Sequence, residues 1–526
     1  MDQGGQPENL STLLSDRVLV NGTVVPLTFT GDGKLRWTGK DQRCLTMEKE
    51  VLGFALEGTR IRVKYAVEKG DGICCLGNRG DLVRQSFVFE PLSDDSLRLW
   101  SQKLRDYIDS LGRPKRLLVF VNPYGGKKSA TKIFSEDVKP YLEDADVQIT
   151  VIETKHQLHA KEVAKTLDLS KYDGIVCVSG DGILVEVVNG LLEREDWAAA
   201  IKIPIGMVPA GTGNGMVKSL LDAVGQPCST SNAILAVIRG HKCSLDVATI
   251  LQGETRFFSV LMLAWGLIAD IDIESEKYRW MGSARLDFYA LQRLLHLRHY
   301  NGCVSFVPAP GFEDYGEPTG YHGEPTSEES PTEENSVKTQ RHGYHGSDFK
   351  LENKHWRTIS GPFISVWLHN VPWGSEDCMA APKAKFSDGC LDLIMVRDSP
   401  KLPLLSLMSK MNDGSHVKSP HVTYIKVKAF VLEPGPRVED PAKEGIIDSD
   451  GEVLARGKGT YKCDQKALMA YDKLQLTLDQ GLATLFAPNP QRRNKTDWNL
   501  NDFTVLLQHD CNYYLETEQA LCYHGL

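Results

Sequence analysis

Three glycine turns and one acid are the residues of this 526-residue chain best arranged for chemistry. Asp181 sits in Ser179-Gly180-Asp181-Gly182, directly after the apolar run Ile175-Val176-Cys177-Val178. A β-branched run ending in Gly-Asp-Gly predicts a buried strand whose C-terminal end opens into a tight turn. In an open parallel α/β sheet that edge is where ligands bind. The glycines admit close approach of a bulky anion, and the acid between them could accept the proton of an attacking hydroxyl. Two similar turns flank it: Asn122-Pro123-Tyr124-Gly125-Gly126 with Lys127 and Lys128 behind, and Pro209-Ala210-Gly211-Thr212-Gly213-Asn214-Gly215. Backbone N–H groups in such turns and at helix N-termini cradle phosphates, so the set suits phosphoryl transfer. Taken alone, Asp181 would more simply cap the helix expected over 183–192. That reading does not explain three glycine turns on one sheet edge.

The elements that must hold these turns follow from periodicity. From 116 to about 240 the pattern strand, glycine turn, helix repeats, with strands over 117–121, 147–152, 175–178 and 203–208. It predicts a parallel sheet with helical crossovers. From 243 strand signals dominate, at 257–263, 303–307, 363–368, 391–396, 423–430 and 474–478, interrupted by a helix over 286–300. A mostly antiparallel sandwich is expected there. Ahead of both, short alternating pieces at 17–21, 23–27, 60–65 and 85–89 precede an amphipathic helix opened by Ser93, with Leu97, Trp100, Leu104 and Ile108 on one face. The fold class is therefore an α/β domain (112–240), then a β-sandwich domain (241–487), preceded by a small β module (16–111) similar to a pleckstrin-homology domain. Residues 1–15 and the insert 308–354 are expected to be disordered, because 311–337 hold eight acids and no Lys or Arg. The tail 488–526 has no assigned role.

Bulk properties exclude several classes. A net charge of −9 argues against a nucleic-acid partner. The 12 cysteines form no CxxC pair, which fits reduced thiols in a cytosolic protein and no dedicated metal cage. The first ten residues lack a basic and an apolar region, so no secretory signal is expected. The longest apolar stretch, 257–269, is 13 residues, short of the roughly 20 that span a bilayer. Any membrane contact is expected to be peripheral.

The run from Ser179 through Asn189-Gly190-Leu191-Leu192-Glu193-Arg194 to Asp196-Trp197 resembles the core motif of sphingosine kinases, within the diacylglycerol-kinase-type lipid kinases. Pro209-Ala210-Gly211-Thr212-Gly213-Asn214 resembles that group's second glycine motif, and Asp450-Gly451-Glu452 its late Asp-Gly-Glu. The segment 258–279, with Leu263-Ala264-Trp265-Gly266, resembles one special to sphingosine kinases. The similarity runs from about 116 to 486; the β module and the acidic insert resemble the plant long-chain base kinases.

The resemblance implies ATP and Mg²⁺ as cofactors and a sphingoid base as lipid substrate, phosphorylated on its primary hydroxyl. It implies a cytoplasmic enzyme that visits an endomembrane, such as the vacuolar membrane, or the plasma membrane. Asp181 would be the base. Asn122, Pro123, Tyr124, Thr154, Gly180, Gly182, Glu186, Gly211, Thr212 and Gly213 would line the nucleotide, Arg279 and Arg285 would reach its phosphates, and Asp450, Gly451 and Glu452 would close the site. Ser179, Gly180, Asp181 and Gly182 would also face the lipid head. Asp272 would meet the protonated amine, which diacylglycerol and ceramide lack. Asp270 is its rival, on one strand edge two residues away, and an ion pair with Lys277 or Arg279 is the simpler use of Asp272. Met262 and the turn Lys155-His156-Gln157 depart from the animal enzymes.

The 286–300 helix, with Leu291, Leu294, Leu295 and Leu297 beside Arg293, His296 and Arg298, could lid the acyl chain, touch acidic membrane, bind a calmodulin-like partner, or pack on the core. The competing functions are a diacylglycerol or ceramide kinase, an enzyme like NAD kinase or phosphofructokinase, and an inactive lipid-binding adaptor. Ser179 in place of a first glycine counts against the NAD kinase-like reading, and the intact set of charged residues against the adaptor.

Overall fold

The computed structural model describes residues 11–38, 42–68, 80–126, 128–282, 284–319, 343–347, 354–462 and 466–489. The first unit is a seven-stranded antiparallel sheet, ordered Gln42–Thr46, Lys34–Thr38, Thr23–Thr30, Thr12–Val20, Leu82–Pro91, Arg60–Glu68, Val51–Glu57. Its first strand begins at Thr12 and pairs with Thr30, so ordered structure starts ahead of the boundary expected at 16. The helix Asp94–Ser110 is capped by the Ser93 side chain and buries Trp100 and Leu104 on the sheet, with Trp100 edge-on to Phe89. This unit is fastened to the next by polar bonds. The Arg113 guanidinium donates to the carbonyls of Met47, Glu48, Val51 and Leu52, and Asp144 receives Arg84 at 2.7 Å and Lys64 at 3.2 Å.

The second unit contains four parallel strands in the spatial order Ile205–Pro209, Gly174–Ser179, Arg116–Val121, Gln148–Glu153. The chain leaves its first strand in one direction for the second and in the other for the third. This creates a topological switch between Arg116–Val121 and Gly174–Ser179. All six residues of Gly174–Ser179 are buried, as a strand covered on both faces requires.

The third unit is antiparallel, and one strand joins it to the second. Leu474–Phe486 pairs antiparallel with Thr423–Arg437 and Lys242–Gln252, and its end runs parallel to Ile205–Pro209. Cβ atoms added at Gly174 and Gly206 would lie 2.5 Å and 3.3 Å from the Phe486 ring. These two glycines therefore make the space into which the last strand sets its aromatic plug.

Two further expectations change. The helix over 286–300 is shorter, Ala284–Leu295, and Tyr300 already opens a strand. The insert is not wholly disordered: Glu317–Pro318 pairs with Arg357–Ser360, and Tyr344 packs on Trp197 and Phe258. Residues 320–342 and 348–353 of it, with the tail beyond 489, lie outside the described residues. No helix among the described residues is long and apolar enough to cross a membrane.

Candidate active site

At the switch, the three glycine turns converge on a cavity of about 430 Å³, in the size range of small-ligand sites. The turns touch backbone to backbone. A Cβ on Gly211 would lie 2.3 Å from the Gly180 Cα, and one on Gly126 would lie 2.9 Å from the Gly211 carbonyl carbon. Only hydrogen fits at Gly211, whereas a Cβ at Gly213 would make ordinary contact, 3.5 Å from Asp181. Asn122 organises the first turn: its Oδ1 accepts from the Tyr124 N–H at 3.0 Å and the Thr154 hydroxyl at 3.3 Å, and its Nδ2 donates to Ser179 at 3.4 Å. Thus Asn122 and Tyr124 of the first turn meet Thr154 and Ser179, from two other segments, at one sheet edge, with Pro123 inside the turn. Tyr124 itself is exposed.

Asp181 is the first residue of the helix Asp181–Leu192, but it does not cap that helix. Its two oxygens accept from the N–H groups of Gly215 at 2.8 Å and Met216 at 3.0 Å, in the first turn of Gly215–Asp222. Burial pushes its pKa above the ordinary carboxylate value, the two amides pull it down, and the nearby Glu376 adds to the rise. Net, it is a stronger base than a surface aspartate, held in one orientation.

The other acids divide by use. Glu186 accepts from Leu158 N–H and Ala160 N–H at 2.9 Å and 3.0 Å, fixing the start of His159–Thr166. Asp450, at φ +56°, accepts from Val260, Leu261 and Met262 N–H at 2.7 to 3.1 Å, and burial pushes it up to about 6. Gly451 follows it in the same turn, and Glu452 takes Gln157 at 2.6 Å. Glu186, Asp450, Gly451 and Glu452 all line the cavity, but the carboxylates of Glu186 and Asp450 are spent on backbone amides.

Asp272 lines the same cavity with its side chain 27% accessible. It does not lie on a strand. The strand Met262–Gly266 ends at Gly266, and Asp270 and Asp272 belong to the helix Leu267–Glu274, because Gly266 at φ +86° turns the chain. On a helix, residues two apart face differently. Asp270 accordingly points inward, to Arg298 at 2.9 Å and Tyr300 at 2.6 Å, and is excluded from the cavity. Arg285 holds this helix, donating to the Asp272 carbonyl at 3.1 Å and to Ser275, with a terminal nitrogen 3.8 Å from the Asp272 carboxylate. It lines the cavity, with its Nη1 engaged locally. The Arg279 side chain lies outside the described residues, as does Lys127.

Beyond Asp272 the lining becomes apolar, with Ile268, Ile271, Leu286, Trp367, Met408 and Met411. A smaller apolar space behind Ile268 and Trp367 continues it toward Leu404, Leu407 and Val422. An open groove outside shares Asp287, Ala290 and Met408 with the cavity. Leu291 (53%) and Leu402 (79%) line it and are exposed, as is Leu295 (62%) next to the lining Leu294. The basic residues of the helix and its exit do not join this face. Arg298 bonds Asp270 and Glu274, and Arg293 is buried beside Asp270. Of the three basic residues expected to form one face, Arg293 and Arg298 are thus turned into the protein, while His296 stays exposed.

Sequence reasoning missed the loop Gly374-Ser375-Glu376-Asp377-Cys378, which forms one wall. Asn214, itself at φ +56°, reaches Glu376 at 2.6 Å, and the Glu376 N–H donates to Gly213. No periodicity or glycine pattern marks that loop. Its place is set by the long-range pairing of the strand before it.

Fold and site together define a lipid kinase of the diacylglycerol kinase type, and comparison agrees. Residues 116–250 match the diacylglycerol kinase catalytic domain, and 353–471 the YegS C-terminal NAD kinase beta sandwich-like domain. Sphingosine kinase 1 of Arabidopsis thaliana is 64% identical over 93% of this chain and all of its own, and sphingosine kinase 2 is 65% identical over 90% and 97%. Human ceramide kinase is 32% identical over 76% of this chain and 78% of its own. The chain belongs to the sphingosine kinase family.

Proposed function

We propose that the protein transfers the γ-phosphoryl group of ATP to the primary hydroxyl of a sphingoid base, giving the 1-phosphate. The observation that carries this reading is that Asp181 and Asp272 line one cavity, with phosphate-binding turns beside the first and apolar wall beside the second. The turns Asn122–Gly126, Gly180–Gly182 and Gly211–Gly213 receive the nucleotide through backbone N–H groups. Asp181 takes the proton of the lipid hydroxyl as its oxygen attacks the γ-phosphorus, and ADP leaves. A raised pKa suits this task, since a base tuned toward neutrality accepts the proton more readily.

Asp272 receives the ammonium of the lipid, and the apolar wall takes its chain. A neutral headgroup would leave that carboxylate unpaired, which disfavours ceramide and diacylglycerol. Mg²⁺ travels with ATP and supplies positive charge to the phosphates. Glu376 near Asp181 is an acid whose neighbourhood would accept such a cation. The exposed apolar face of Leu291, Leu295 and Leu402 rests on a membrane, peripherally, at the mouth from which the lipid enters.

Purified protein with labelled ATP tests the reading against sphingosine, ceramide and diacylglycerol. Phosphate on sphingosine alone is expected. Transfer mainly to ceramide or diacylglycerol, or none to any lipid, would overturn it.

A further inference from the structure

Behind Asp272 stands a second carboxyl that the mechanism above does not use. Asp448 is 0% exposed, on the strand Ile446–Ser449, opposite Ala264 of Met262–Gly266. Two residues earlier on its face, Ile446 packs against Ile273, so that face looks onto the helix carrying Asp272. Among the described residues no amide, hydroxyl or cation donates to either Asp448 oxygen. This separates it from the neighbouring buried acids, since Asp181, Glu186 and Asp450 each accept two or three backbone N–H groups.

An ionised carboxylate in that position would be buried without any compensating bond, which is strongly unfavourable. The charged groups around it make this worse, because Asp272, Asp450 and Glu452 all face it with the same sign. Among the described residues the cation paired with Asp272 is Arg285, but it lies 3.8 Å away and directs its Nη1 to the Asp272 carbonyl and Ser275. Burial first, and then Asp272, hold Asp448 well above the carboxylate range. The neutral acid has one proton to donate, and Asp272, on the helix that this face of the strand looks onto, is the carboxylate placed to accept it.

We propose that Asp448 is the positioning residue of the amine site: it stays protonated, donates to the Asp272 carboxylate and aims that single negative charge into the cavity. Resting on the lipid kinase reading, this adds a cause for headgroup selection. An alkylammonium is matched in charge and direction, while a hydroxyl or ester headgroup gains nothing from either.

The test compares Asp448→Asn and Asp448→Leu in the full chain, with sphingosine and ATP as varied substrates. Asn keeps a donor at that place, so its KM for sphingosine is expected within about twofold of the parent; Leu removes the donor, and KM is expected to rise about tenfold or more, with KM for ATP unchanged. Leu behaving like the parent, or Asn failing as badly as Leu, would overturn the proposal. So would equal rises in both Michaelis constants, the mark of a merely structural residue. If Leu does not fold, infrared spectra of the parent and of Asp448→Asn at neutral pH decide. A buried carboxylic acid band present in the first and lost in the second is expected, and an unchanged band overturns the assignment. A parent protein inactive on sphingosine would instead strike the lipid kinase reading itself.

Discussion

The Asn189 side chain bonds Phe258 twice, donating to its carbonyl at 2.7 Å and accepting its N–H at 3.0 Å. Asn189 lies on the helix begun by Asp181, and Phe258 lies on the strand Thr255–Ser259 of the sandwich. The element carrying the base is thereby clamped to the domain carrying Asp272, which fixes the distance a lipid head must bridge.

Replacing Asp181 with Asn should lower kcat at least 10²-fold while nucleotide affinity stays within a few fold. The Asn oxygen can still accept from Gly215 or Met216, so stability should fall by only about 1 kcal/mol. Single-turnover transfer and calorimetric ATP binding check the two halves; turnover at the parent rate removes Asp181 from the chemistry.

Asp272→Asn should raise KM for sphingosine about 10- to 100-fold, with KM for ATP unaltered. Steady-state kinetics with each substrate varied will tell. An unchanged lipid KM would mean that the amine is read by another group.

Gly211→Ala and Gly213→Ala form a contrasting pair. The first drives a methyl to 2.3 Å from the Gly180 backbone and should abolish nucleotide binding, whereas the second meets only ordinary contacts and should keep most of it. Titration of both variants with ATP distinguishes them; equal losses would show that the turns are not held as tightly as the packing requires.

Glu376→Gln removes a negative neighbour that raises the Asp181 pKa. The base works deprotonated, so activity falls as pH drops through that pKa. Lowering the pKa moves the acid limb of kcat/KM to lower pH, and a limb that stays put or rises would contradict the assignment.

Leu291→Ser together with Leu402→Ser should weaken binding to vesicles about tenfold or more, since each buried leucine contributes about 1.5–3 kcal/mol. Activity on sphingosine dispersed in detergent should hold. Vesicle co-sedimentation gives the affinity, and undiminished binding would move the membrane face elsewhere.

Much of this was legible because local chemistry dictated it. Glycine turns after β-branched runs located the sheet edge, and Trp100 with Leu104 at helical spacing located the first module's core. What stayed hidden depended on long-range pairing. Asp270 and Asp272 look interchangeable until Gly266 turns the chain into a helix and sends them to different sides. The burial of Arg293 and Arg298 depends on acids more than 20 residues away, so composition alone read them as a basic surface. Glu376 and Asp448 have no local signature, being placed only by the strands that bring them home.

The aromatic plug formed by Phe486 has a consequence for biogenesis. The parallel sheet is synthesised early, yet the ring that fills the hollow over Gly174 and Gly206 leaves the ribosome more than 270 residues later. A nascent kinase domain must therefore wait, unsealed, until the strand Leu474–Phe486 has been made. A premature stop ahead of Leu474 would expose that hollow as well as removing a strand, and should send the truncated product to the cell's quality-control machinery.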